Sequence, residues 1–151
     1  MDSKTPPGFS LEGRTALVTG SSRGLGRAIA FSLGRAGAKV AFNYQNGRET
    51  AEATFADYRD EGLAGGLFRG SVIDPSEVRH LCREIAKTLG SIDILIVNAT
   101  PDQPLRPIEE YDWDFHQQML DFFVKSPFLL TREVLPEMKA KRFGRILNIG
   151  S

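Results

Sequence analysis

The segment TGSSRGLG, residues Thr19–Gly26, separates a short apolar run from an amphipathic one. Residues Thr15–Thr19 are predicted to form a buried strand bounded by turn signals. In Arg27–Leu33, apolar residues recur at helical spacing, and the glycines at 34 and 37 end that helix. Glycines let a backbone approach a ligand closely, and a helix start offers unpaired N–H groups at the positive end of its dipole. A glycine turn from a strand into a helix therefore predicts a phosphate-binding site for a nucleotide.

Strands and helices alternate along the rest of the chain. A second strand is predicted at Lys39–Tyr44, a helix at 48–60 and a short third strand at Leu67–Arg69. Asp74 and the proline after it begin another amphipathic helix, which the near-continuous apolar run Ile92–Val97 follows. This alternation predicts right-handed crossovers and a parallel sheet.

The composition is that of an ordinary globular protein. Of the 151 residues, 41% are hydrophobic and 25% are charged, which suits one domain with a buried core. The 19 basic residues balance the 19 acidic ones, so no general affinity for nucleic acid or a membrane surface is expected. We expect residues 1–10 to form a flexible arm and residues 11–151 to form a dinucleotide-binding domain.

Localisation and metal binding are also constrained by the sequence. No apolar run resembles a secretory signal or a membrane span, which favours a cytoplasmic protein. Cys82 is the only cysteine, and its helical pattern predicts a small buried residue. His80 and His116 lack companion ligands at metal spacing, so no metal site is predicted.

Four motifs together resemble one family. The pattern Thr-Gly-x-x-x-Gly-x-Gly of residues 19–26 resembles the cofactor loop of short-chain dehydrogenases/reductases. Val97–Ala99 resembles the Asn-Ala-Gly signature after the fourth strand, while Leu135–Met138 and Gly144–Ser151 resemble the end of the long fifth helix and the fifth strand. The motifs occur in the family's order, and the chain resembles its 3-oxoacyl-[acyl-carrier-protein]-reductase-like members. The resemblance implies a Rossmann-type doubly wound α/β fold with strand order 3-2-1-4-5, its carboxyl-terminal part missing.

Ligands of doubly wound sheets bind outside the carboxyl ends of the strands. That rule and the resemblance predict the following cofactor-binding residues: Gly20, Ser22, Arg23, Gly24, Leu25, Gly26, Asn43, Tyr44, Ser71, Val72, Asn98 and Ala99. By resemblance, Ser71 and Val72 flank the adenine, and Asn98 helps to hold the ribose. Thr100 replaces the glycine of the Asn-Ala-Gly signature, which adds bulk at the nicotinamide end.

The charges at this edge favour NADP(H) over NAD(H). An acidic residue after the second strand would hold a ribose hydroxyl and repel a phosphate, but Asn43, Tyr44 and Gln45 are uncharged. Arg23 could instead hold the additional phosphate through charge-assisted hydrogen bonds. Arg48 is a second candidate, although an exposed helix residue is the favoured interpretation there.

The catalytic residues implied by the resemblance are incomplete. Relatives use a Ser, a Tyr and a Lys, with an Asn on the long helix. Ser151 aligns with the active serine, Phe123 stands where the Asn is usual, and Tyr44, Tyr58 and Tyr111 all lack a lysine four positions later. Without the phenol and the ammonium, a proton donor is missing, so we expect these 151 residues alone to be inactive.

Two functions remain open. The first is an NADP-dependent oxidoreductase that reduces a small-molecule ketone or 3-oxoacyl-like carbonyl, or oxidises the alcohol. The alternative is a non-catalytic dinucleotide-binding or dimerisation module. A long helix predicted over 108–141 is rich in large apolar residues, more than one sheet contact needs, which predicts a homodimer or homotetramer through that helix.

Overall fold

Five parallel strands form one sheet in the structure, a computed structural model that describes residues 9–150. The strands are β1 (Thr15–Val18), β2 (Lys39–Tyr44), β3 (Gly65–Arg69), β4 (Ile94–Val97) and β5 (Arg145–Asn148). Their order is β3-β2-β1-β4-β5, which confirms the predicted doubly wound sheet. Ser151 and most of the expected arm 1–10 lie outside the described residues.

The helices connect successive strands. They are α1 (Gly24–Arg35), α2 (Arg48–Asp60), α3 (Pro75–Leu89), α4 (Trp113–Leu120) and α5 (Ser126–Ala140). The predicted start of α3 is confirmed, because the Asp74 carboxylate accepts from the amides of Ser76 and Glu77, both at 2.9 Å. Among the described helices, none is long and apolar enough to cross a membrane.

The sheet is covered on both faces, as the apolar runs predict. Every residue of β1 is buried, and its side chains alternate between the two faces. Leu17 packs with Leu130 on the face of α3 and α5, whereas Val18 packs with Phe31 and Phe42 on the face of α1 and α2. Strands buried on both sides leave only their ends for ligands.

The starts of β3 and of the long helix differ from the prediction. β3 begins at Gly65 rather than Leu67, because the missing side chain allows a close approach to β2: a Cβ at Gly65 would lie 2.3 Å from the Val40 carbonyl oxygen. The helix predicted over 108–141 becomes α-helical only at Trp113. The Asp112 side chain caps it there by accepting from the Phe115 amide at 2.8 Å.

A π-helical segment, Asp121–Lys125, joins α4 to α5. The proline at 127 also predicts an interruption of the long helix at Ser126-Pro127; the π-helical segment lies directly before these two residues, and Pro127 is the second residue of α5. A short 3-10 turn, Ile108–Glu110, precedes α4. The extra residue of a π turn changes which side chains face the sheet edge.

Asp93 closes the amino-terminal end of the sheet, opposite the glycine turn. Its side chain is buried and accepts from the Thr15 amide at 3.1 Å and from Lys141 Nζ at 3.0 Å. Arg14 lies 3.9 Å away. This carboxylate therefore joins β1, β4 and the segment after α5.

Candidate cofactor site

A cavity of about 860 Å³ opens at the carboxyl ends of the strands. Of the twelve residues predicted to bind a cofactor, eleven line it, and Ser71 is the exception. The Ser71 side chain is buried: its amide donates to Glu77 Oε2 at 2.7 Å, and its hydroxyl accepts from the Ile73 amide at 3.3 Å. Ser71 thus shapes the loop after β3, while Val72 and Ile73 reach the cavity.

The glycine turn has a left-handed backbone that favours glycine. Gly20 and Gly24 have positive φ angles of 61° and 56°. A Cβ at Gly26 would lie 2.4 Å from the Gly20 carbonyl oxygen and 2.5 Å from Asn98 Nδ2, whereas one at Gly24 would meet nothing within 4 Å. The turn is therefore packed tightly against the protein on one side and open to the cavity on the other.

Helix α1 begins at this turn, and no acidic side chain of its own caps its amino terminus. Arg23 occupies the N-cap position with no side-chain cap, and the first turn carries no acidic residue. Such a start leaves backbone N–H groups for an outside acceptor, and the helix dipole favours a negative one. The turn thus fits a phosphate or pyrophosphate group.

Thr19 and Asn98 hold the glycine turn against the end of β4. The Thr19 hydroxyl accepts from the amides of Asn98 at 2.9 Å and Ala99 at 3.0 Å. Asn98 Nδ2 donates to the carbonyl oxygens of Thr19 at 3.0 Å and Gly20 at 3.1 Å. The Thr19 hydroxyl and the Asn98 side-chain amide therefore fix the glycine turn and the end of β4, which form two walls of the cavity.

Asn43 joins the same turn to β3. Its Oδ1 accepts from the Gly20 amide at 3.4 Å, and its Nδ2 donates to the Gly70 carbonyl oxygen at 3.1 Å. Its backbone amide donates to the Ser21 hydroxyl at 3.0 Å. Asn43 lines the cavity but is only 2% exposed. Its main role is therefore to hold the glycine turn against the end of β3, and we call these hydrogen bonds the Asn43 brace.

The end of β2 offers no carboxylate to a ribose. Tyr44, Gln45 and Asn46 line this part of the cavity. Arg48 does not line it; it pairs with Glu52 at 2.6 Å on α2, and the hydrogen bond and charge of Glu52 raise the pKa of its guanidinium. Among residues 9–150, Arg23 is thus the cation that lines the cavity.

A loop and a helix complete the lining with residues that were not among the predicted cofactor-binding residues. Pro101, Asp102 and Gln103 come from the segment after β4, and Gln118 comes from α4. Asp102 lies 4.0 Å from Arg23, measured from Oδ1 to Nη2. Asp102 carries no periodic or motif signal, so only the folded arrangement reveals its pairing with Arg23.

Aromatic rings wall the cavity beside β5. Phe122 and Phe123 of the π-helical segment line it, together with Ile149. An adjoining cavity of about 160 Å³ is lined by the same three residues and by Val97, Ala99, Pro127, Asn148 and Gly150. Phe123 thus places a ring where relatives are expected to have an amide. The predicted catalytic Ser151 lies outside the described residues, directly after Gly150.

Neither Cys82 nor any cluster of metal-binding side chains adds chemistry among the described residues. Burial, with a smaller contribution from Glu133, raises the pKa of the Cys82 thiol to about 12, so it is an inert packing residue as predicted. Within residues 9–150, no cluster of three or more His, Cys, Asp or Glu side chains could hold a metal ion.

A doubly wound parallel sheet with a glycine turn after its first strand is the architecture of dinucleotide-binding proteins. The model of the short chain dehydrogenase family matches residues 14–151. The chain therefore belongs to the short-chain dehydrogenase family.

Relatives and solved structures agree with this assignment. The 3-oxoacyl-[acyl-carrier-protein] reductase FabG of Staphylococcus aureus is 36% identical over 140 residues, which are 91% of this chain and 56% of the relative. A putative gluconate dehydrogenase from Agrobacterium tumefaciens has a TM-score of 0.87 and 36% identity over 95% of this chain and 56% of its own. A gluconate 5-dehydrogenase from Burkholderia cenocepacia, solved with NADP and tartrate, has a TM-score of 0.84 and 34% identity, covering 95% of this chain and 55% of its own. The chain spans about half the length of these relatives.

Proposed function

We propose that this chain forms the cofactor-binding part of an NADP(H)-dependent oxidoreductase that interconverts a small-molecule ketone, or a 3-oxoacyl-like carbonyl, and its alcohol. The observation that carries the proposal is the uncapped glycine turn with Arg23 at its edge, opposite a β2 end that has no carboxylate. The relative solved with NADP supports the same cofactor.

The residues of this chain would bind and orient the dinucleotide. The open side of the turn at Gly24 and the N–H groups of α1 suit the pyrophosphate. Arg23 suits the additional phosphate of NADP(H), because a guanidinium forms paired charge-assisted hydrogen bonds with phosphate oxygens. We infer a preference for NADP(H) over NAD(H) on this ground.

The substrate would lie beside the aromatic wall. When bound, the nicotinamide supplies or accepts the hydride. Phe122, Phe123 and Ile149 would exclude water from that region, and Ser151, which follows Gly150, would hold the carbonyl oxygen in the role that the family resemblance implies. The substrate is a small molecule in this proposal, not a nucleic acid or a membrane lipid.

Assembly through the long helix is part of the same proposal. Leu120, Val124 and Phe128 recur at four-residue spacing across α4, the π-helical segment and α5, and all three are exposed. An exposed apolar stripe of this kind suits a homodimer or homotetramer. The cytoplasmic location expected from the sequence stays a prediction.

The alternative is a non-catalytic dinucleotide-binding or dimerisation module. Phe123 favours it, because a phenyl ring cannot provide the polar group expected on this helix. NADPH-dependent ketone reduction by the 151-residue chain would exclude this alternative. A Tyr-x-x-x-Lys pair encoded shortly after Ser151 would favour the reductase, and a longer reading frame without one would favour the module.

The first experiment is a titration of the purified, monodisperse chain with NADPH and NADH, followed by nucleotide fluorescence. We expect tighter binding of NADPH, and R23A should weaken NADPH by about tenfold while leaving NADH nearly unchanged. R48A is the matched control, since it removes a cation that does not line the cavity. Equal affinities for both nucleotides, or an R23A variant that binds NADPH normally, would contradict the assignment of Arg23.

A further inference from the structure

The charged groups of the cavity form a single pair. Among the described lining residues, Arg23 is the only basic side chain and Asp102 the only acidic one. Arg23 Nη2 and Asp102 Oδ1 are 4.0 Å apart. The remaining lining residues are uncharged, so nothing else described in the cavity offsets either charge.

The pair bridges two walls of the cavity. Arg23 stands at the N-cap of α1, directly after the glycine turn, while Asp102 belongs to the loop that follows β4. That loop is tied down near Asp102, because the Tyr111 hydroxyl accepts from the Arg106 amide at 3.0 Å and donates to the Pro104 carbonyl oxygen. Asp102 is thus presented to Arg23 from a segment braced by its own hydrogen bonds.

A carboxylate and a phosphate are alternative partners for one guanidinium. Arg binds both through the same planar set of N–H donors, so full engagement of one partner reduces what is left for the other. A carboxylate beside a bound phosphate also repels it, since both are negative. Both side chains are largely exposed, at 83% and 100%, so water weakens the pair but leaves it free to rearrange.

We propose that Asp102 is a specificity-determining residue that competes with the additional phosphate of NADP(H) for Arg23 and so lowers the selectivity for NADP(H) over NAD(H). This inference rests on the proposed cofactor-binding function. NAD(H) lacks the competing phosphate, so its affinity does not depend on the pair in the same way.

The test compares D102N with the parent chain in NADPH and NADH titrations at low ionic strength, where exposed charges are least screened. D102N should bind NADPH about two- to fivefold more tightly, the range that an exposed ion pair provides, and NADH with unchanged affinity. E110Q is the matched control: it removes the same charge from the same connection but does not line the cavity. In an R23A background, the gain from D102N should shrink.

The alternative outcomes are distinct. Weaker NADPH binding by D102N would show that Asp102 positions Arg23, and an equal gain for both nucleotides would show general repulsion of the pyrophosphate; either result overturns the inference. Normal NADPH binding that D102N leaves unchanged also overturns it, without affecting the proposed function. A parent chain that binds neither nucleotide would overturn the proposed function and this inference together.

Discussion

Replacing Thr19 by valine removes one hydroxyl from the centre of the cofactor site and changes the shape of the side chain very little. Thr19 is fully buried, and its hydroxyl accepts from the amides of Asn98 and Ala99 at 2.9 and 3.0 Å. It also donates to the Ile96 carbonyl oxygen at 3.4 Å. T19V therefore leaves two backbone N–H groups without their acceptor while opening no cavity.

The expected cost follows from the surroundings of those two N–H groups. A buried donor that loses its partner costs about 1–3 kcal/mol. Asn98 and Ala99 are only half-buried and line the cavity, so water can reach them and the lower part of that range applies. We expect T19V to lower the free energy of unfolding by about 2–3 kcal/mol in total. T19S, which keeps the hydroxyl, should cost about 1 kcal/mol.

Urea unfolding followed by far-UV circular dichroism measures these differences, and a loss of that size lowers the midpoint by about 1–2 M. T15V is the control at the other end of β1, where the hydroxyl makes a single hydrogen bond to the Leu89 carbonyl oxygen at 3.0 Å. T19V should also weaken NADPH binding, whereas T15V should not. If T19V costs no more than T15V, or binds NADPH as the parent does, the hydroxyl does not hold the site together.

Three further perturbations test other parts of the structure. D93A should lower the free energy of unfolding by about 2–4 kcal/mol in urea titrations, because it leaves the Thr15 amide without its acceptor and removes the ion pair with Lys141. D93N keeps an acceptor for the amide and should cost about half as much. Equal costs for the two variants would argue against this explanation. G26A should weaken NADPH binding by at least about tenfold in fluorescence titrations, since its Cβ would collide with the turn; G13A, which strains a backbone of φ 77° outside the cavity, should lower stability and leave binding unchanged. Burial, helped by nearby carboxylates, raises the pKa of Cys82 and of Tyr58 to about 12 each from 9.0 and 10.0. The unfolded chain therefore releases these protons first, so stability should fall as the pH rises from about 9 towards 12. Y58F and C82A should each flatten the dependence of the urea midpoint on pH. If neither variant changes that dependence, Tyr58 and Cys82 do not cause the loss of stability at high pH.

Local patterns predicted most of the fold. The apolar runs of β1 and β4 are buried on both faces, and the alternation of strands with helices gave the parallel sheet. The glycine turn could be located because its residue type is dictated by backbone geometry, as at Gly20 and Gly24, whose φ angles are positive. These features depend on neighbours in sequence, which periodicity and turn chemistry report directly.

Features that depend on distant partners escaped prediction. The early start of β3 at Gly65 reflects close contact with β2, which a local period does not encode, and no pattern in the sequence predicted the π-helical segment. Ser71, which was predicted to flank the adenine, does not line the cavity, because it is buried and its amide donates to Glu77. The pairing of Arg23 with Asp102 joins residues from two loops, so it appears only in the folded chain.

The brace formed by Asn43 constrains how this protein could change its cofactor. An acidic residue at the end of β2 is the simplest route towards NAD(H). At Asn43 that route is blocked, because aspartate would set a carboxylate oxygen against the Gly70 carbonyl oxygen, which the present amide approaches at 3.1 Å as a donor. Redesign or divergence towards NAD(H) would therefore have to introduce the carboxylate at Tyr44 or Gln45, where the side chain does not tie the turn to β3.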